Sequence, residues 1–136
     1  MRYLTIDELI KINEALIGKI GGLIGIVDKT GLTESIERPK MKAGDYEPFP
    51  TIWDKAAVLM ETIVKTRPFA NTNALTSFLA AVMMLRLNGY ILRPEPGDGD
   101  EIISITFLQM TVPQIADWFK NKSISILSGD NEKSQG

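Results

Sequence analysis

Along most of the chain apolar residues return at intervals of three and four, the spacing of one helix face, and polar or breaker-rich stretches separate these runs. The first run opens with Leu4-Thr5-Ile6-Asp7-Glu8, where Thr5 can cap a helix and Glu8 can reach back to the cap's own amide. A helix to about Ile17 follows, with Ile6, Leu9, Ile10, Leu16 and Ile17 on one face and Asn13 among them. An asparagine in that place reads as a satisfied core polar group or a cap for a neighbouring element. Glycines at 18, 21, 22, 25 and 31 predict a looping connection over 18–31, and Leu32 to Arg38 a short second helix stopped by Pro39. Neither the dinucleotide fingerprint nor the P-loop lysine accompanies these glycines, so a tight turn is the favoured reading over a phosphate cradle.

A third helix, Thr51 to Lys65, carries Ile52, Ala56, Leu59, Met60 and Ile63 on one face and has Asp54 in its first turn. Pro68 stops it. The pattern then changes. From Ala74 to Asn88 nearly every position is apolar, Leu75, Phe78, Leu79, Val82 and Leu85 repeating at three and four while Ala80, Ala81, Met83, Met84 and Leu87 fill the rest. Such a segment predicts a helix buried all round at the centre of the domain, N-capped by Asn73 and ended by Asn88-Gly89. Between these two helices and the outer ones lie polar loops. Residues 40–50 form an exposed segment of the kind that carries recognition on a rigid scaffold. Residues 93–100 are an acidic turn, expected to be solvated and lacking the twelve-residue calcium loop.

Glu101 to Met110 is ambiguous by itself, since Ile102, Ile103, Ile105, Thr106 and Phe107 have strand propensity, while Asp98 or Asp100 could cap a helix. Thr111 and Gln114 form another capping box, opening a last helix over Ile115 to Lys120. The expected organisation is one helical domain over 1–122 and a polar, frayed tail over 123–136.

Composition narrows the chemistry. The 136 residues include no cysteine and no histidine, which excludes disulfides, zinc-thiolate sites, thiolate nucleophiles and every imidazole base or ligand, and no metal site is expected. A net charge of −2 argues against a nucleic-acid wrapper or a membrane-surface binder, no apolar run is long enough to span a membrane, and the N-terminus lacks a signal-peptide pattern. A cytoplasmic address is expected.

The segment Arg67-Pro-Phe69-Ala-Asn71-Thr72-Asn73-Ala74-Leu75-Thr76, with the ending Asn88-Gly89-Tyr90, resembles the signature of the Fic/Doc superfamily, specifically the Doc (death-on-curing) toxins. That signature reads His-x-Phe-x-Asp/Asn-Gly/Ala-Asn-Lys-Arg, followed by Thr and a small-residue helix. Phe69, Asn71, Asn73 and Thr76 match; Arg67 stands for the histidine, Thr72 for the glycine or alanine, Ala74 for the lysine and Leu75 for the arginine. Gly-Gly-Leu-Ile-Gly-Ile-Val-Asp over 21–28 is similar to the family's Gly-Gly-x-x-Gly-x-Arg-Asp, with Val27 at the arginine, and Asn13 stands where a histidine is common.

The resemblance implies an all-α fold, a Fic/Doc-like bundle around the central helix, in which Glu101 to Met110 is helical and residues 40–50 are a flap beside the active site. Asp45, Tyr46 and Glu47 are then flap residues that line up a target. It implies a phosphate or nucleotide site at Asn71, Thr72, Asn73, Ala74 and Leu75, with ATP and magnesium as co-substrate, and a catalytic position at Arg67, although a guanidinium is no base. Its partners would be a Phd-type antitoxin and a translation factor, elongation factor Tu in the family. Three functions fit: a Doc-like component of a toxin-antitoxin pair with a degraded transfer site and a binding or regulatory role; a working kinase in which Arg67 supplies charge and Asp45 or Glu47 the base; and an unrelated helical interaction module.

Overall fold

In a computed structural model the described residues are 1–126. Among them are six α-helices, α1 (Ile6–Ile20), α2 (Lys29–Glu37), α3 (Ile52–Thr66), α4 (Asn73–Leu87), α5 (Gly99–Thr106) and α6 (Val112–Asn121). A 3-10 turn, Arg38–Lys40, follows α2, and two three-residue strands, β1 (Tyr90–Leu92) and β2 (Ser123–Ser125), pair antiparallel with Ile91 opposite Ile124. The architecture is all-α, and the stretch of ambiguous propensity is helical only to Thr106: Phe107 caps the helix and Leu108 turns left-handed (φ 54°), so 107–110 lie outside the helix expected there.

Three of the helix starts form as local chemistry dictates. Thr5 with Glu8, Thr51 with Asp54 and Thr111 with Gln114 each exchange side-chain and backbone hydrogen bonds across the first turn. The glycine-rich connection is shorter than its composition predicts: α1 runs through Gly18 to Ile20, and α2 begins at Lys29 because the Asp28 carboxylate accepts from the Gly31 amide at 2.8 Å. Gly31 is therefore helical, and it lets α2 approach α3, since a Cβ there would stand 2.6 Å from Cβ of Thr66.

At the centre lies α3, with Ala56, Ala57, Val58, Met60 and Ile63 fully buried and α4 and α6 packed on either side. α4, the helix expected at the centre, is not buried all round. Its buried residues are Asn73, Thr76, Ser77, Ala80, Ala81, Met84 and Leu85, while Leu75 and Met83 are exposed and Leu79 and Val82 half-buried. Small side chains let two backbones approach closely, and Leu75, Leu79, Val82 and Met83 are turned outward while Met84 and Leu85 remain inside. Periodicity could not choose between faces because almost every residue was apolar.

Two expectations for the C-terminal third also change. Ser123–Ser125 pair with β1 and do not begin a frayed tail, and the remainder of that tail, from 127 on, lies outside the described residues. The acidic turn is not simply solvated: Asp98 is buried and sits 3.0 Å from the Lys122 ammonium, clipping the strand pair to the start of α5. The Glu95 amide, then Lys122, hold the Asp98 carboxyl below its ordinary 3.8; Asp98, then Glu95, hold the ammonium above 10.5. Both groups are charged at neutral pH.

Candidate functional site: the loop before the central helix

The loop between α3 and α4 turns on two left-handed residues. Arg67 (φ 48°) ends α3 and Thr72 (φ 67°) precedes α4. Threonine in that conformation is strained, because its branched Cβ crowds the following carbonyl. It makes no side-chain cap, and Asn73 is not the cap either. Asn73 is the first residue of the helix, and its buried amide reaches back to Phe69, accepting from the Phe69 N–H at 3.0 Å and donating to the Phe69 carbonyl at 2.9 Å. An asparagine carries one donor and one acceptor group at fixed spacing, so it can satisfy both backbone groups of one residue.

Other polar side chains of the loop are engaged in the same way. Asn71 Oδ1 accepts from Leu23 N at 2.6 Å and its Nδ2 donates to the Ala70 carbonyl. From α1, the buried Asn13 donates to the Asn71 carbonyl (3.0 Å) and to Thr76 Oγ1 (3.1 Å), the satisfied core polar group that its place in the sequence suggested. The glycine-rich segment lies antiparallel on the loop: Val27 N donates to Pro68 O at 2.8 Å, Ala70 N to Gly25 O at 2.9 Å. Gly22 (φ 122°) must be glycine here, as a Cβ would meet Asn71 Oδ1 at 2.9 Å.

The structure thus brings Asn71, Thr72, Asn73, Ala74 and Leu75 together at one helix start. The first-turn amides of Asn73, Ala74 and Leu75 have no acceptor within the helix, and the dipole favours an anion there. Ala74 and Leu75 add no charge to that turn, and Val27 is 68% exposed. Arg67 is exposed and, among the described residues, forms no ion pair.

The flap is held elsewhere. Ala43 and Tyr46 exchange two backbone hydrogen bonds around Gly44 (φ 63°), displaying Asp45 and Tyr46 to solvent. Glu47 instead pairs with Lys55 of α3 at 3.2 Å. Among the described residues no hydrogen bond or ion pair joins Asp45, Tyr46 or Glu47 to the α4 loop. Lys55 carried no sequence signal, because a lysine in Asp-Lys-Ala-Ala on an amphipathic helix reads as a surface residue.

A second surface feature lies on the outward face of α4. Ile12, Ala15 and Leu16 of α1 and Leu79, Val82 and Met83 of α4 form a largely apolar groove of about 300 Å³, with Lys19 and Arg86 at its rim. A further depression shares Ile12, Ala15 and Met83 and adds Lys11 and Glu8. Lys11, Lys19 and Arg86 form no ion pair among the described residues.

The sequence profile of the Fic/DOC family matches residues 3–85, which span α1 to α4 and include the whole loop. The chain belongs to the Fic/DOC family. Within it, the chain is similar to "Protein kinase doc" of Escherichia phage P1, 26% identical over 117 residues that cover 86% of this chain and 92% of the relative. It is also similar to "Toxin Doc" of Mycolicibacterium smegmatis, 29% identical over 69 residues, about half of either chain (51% and 53%). The side chains of Asn71, Asn73 and Thr76, all within the matched segment, are among those that hold the loop. No helix among the described residues is long and apolar enough to cross a membrane.

Proposed function

We propose that this chain is the toxin-side member of a bacterial toxin-antitoxin pair, with a phosphotransfer site reduced to its scaffold, and that it acts by binding. One observation carries the reading. Asn71, Asn73 and Thr76, which match the family, are engaged in holding the loop, while Arg67, Ala74, Leu75 and Val27 stand where a proton acceptor and three cations would be needed. A missing general base removes about 10²- to 10⁴-fold in rate, and each missing charge-assisted hydrogen bond about 1.5–3 kcal/mol. The losses fall on one site and compound.

The alternative, a kinase with a flap carboxylate as base, loses one of its two candidates, because Glu47 is drawn to Lys55. The groove between α1 and α4 suits the antitoxin: a Phd-type helix with an aliphatic stripe and acidic flanks would cover the apolar floor and meet Lys11, Lys19 and Arg86. A nucleotide, ATP with magnesium, would find only the helix-start amides and Arg67. Incubation with labelled ATP, magnesium and elongation factor Tu tests the reading. The expected result is no label on the factor; catalytic labelling that depends on Arg67 would overturn it and establish the kinase.

A further inference from the structure

The ammonium of Lys55 is the most deeply buried charge among the described residues, its side chain 2% exposed. It donates to the Pro39 carbonyl at 3.0 Å and to Glu47 Oε1 at 3.2 Å, and lies 5.6 Å from the centre of the Tyr3 ring. Lys40, paired at 3.8 Å with Glu37, sits over the same ring. Pro39 precedes the flap and Glu47 ends its exposed turn, so a single buried group gathers both ends of the loop.

Placing an ammonium in an apolar interior is costly, and its partial repayment by one carbonyl and a carboxylate one-third exposed makes it a poor source of stability. A methionine would fill nearly the same space without that cost. What the lysine adds is direction: its donors must find their acceptors, and both acceptors belong to the flap's ends. We propose that Lys55 is a latch that fixes the shape of the flap and so presents Asp45 and Tyr46 at one set place on the surface. Without it the turn at Gly44 loses the anchor of its base, and the two hydrogen bonds between Ala43 and Tyr46 open more often. The latch goes beyond the toxin-side reading and stands whether or not the α4 loop transfers phosphate.

Amide exchange of the intact chain, resolved by residue, tests it in the natural protein, in Lys55→Met and in Glu47→Gln. Lys55→Met is expected to speed exchange at Ala43 and Tyr46 by about tenfold or more and to leave α4 and α6 amides unchanged. Glu47→Gln should speed the same two amides by a smaller factor, since the Pro39 contact remains. Unchanged flap exchange in a folded Lys55→Met protein would overturn the latch, as would equal acceleration throughout the chain, which would make Lys55 a general stability group. If Lys55→Met fails to fold, Glu47→Gln decides alone: acceleration confined to the flap supports the latch, and any other pattern overturns it.

Discussion

The loop before α4 and the groove along α4 use the same helix in opposite ways. In the loop the asparagines are turned inward on the backbone: Asn71 and Asn73, with Asn13 from α1, bind carbonyls and amides, and the free helix-start amides, Arg67 and Thr72 are what is left for a ligand. The groove is the reverse. Leu79, Val82 and Met83 keep apolar surface in water, and Lys19 and Arg86 form no ion pair among the described residues, while Lys11 has only the field of Glu8 nearby. A region whose polar groups serve its own architecture is a scaffold; one that leaves apolar area and charge unpaired is suited to a partner. The difference supports the proposal that this chain acts by binding.

The largest effect is expected at the buried face of α4. Ala81 is fully buried against α3, and Ala81→Asp should destabilise the fold by about 4 kcal/mol or more, leaving a chain without a cooperative melt. Within the loop, Asn73→Ala strands the Phe69 N–H and carbonyl in a buried place, and a loss of about 2–4 kcal/mol is expected in urea denaturation. On the groove side Leu79→Asp should cost only about 1–2 kcal/mol, mostly helix propensity and partial burial, while abolishing capture of an acidic amphipathic helix. A Leu79→Asp protein that fails to fold would move that face back into the core. The smallest effect is a gain: Thr72→Gly relieves the left-handed threonine and, after the entropy added to the unfolded chain, should raise stability by about 0.5–1 kcal/mol in the same urea titration.

How much of this was legible depends on how local the cause is. Capping boxes involve residues three apart, so Thr5, Thr51 and Thr111 announced three helix starts correctly. The matched loop residues announced the family. The faces of α4 were hidden, because a helix of Ala, Leu, Met and Val has no polar stripe to orient it, and close packing of small residues on α3 decided the outcome. Asn73 looked like a cap because asparagine usually is one; the left-handed turn at Thr72 moved the helix start and gave its amide to Phe69. Lys55 and Asp98 were misread or missed for a common reason. Each is a charge whose burial depends on a partner distant in sequence, Glu47 with Pro39 in one case and Lys122 in the other.

As proposed, the loop keeps the scaffold of a phosphate site without its chemistry. Calorimetric titration with ATP and magnesium tests it most directly, comparing the natural chain with the double variant Arg67→His, Ala74→Lys. The variant is expected to bind about tenfold tighter or more, from one restored charge-assisted contact on an intact loop. Equal affinity in the two proteins, with tight binding by the natural chain, would contradict it.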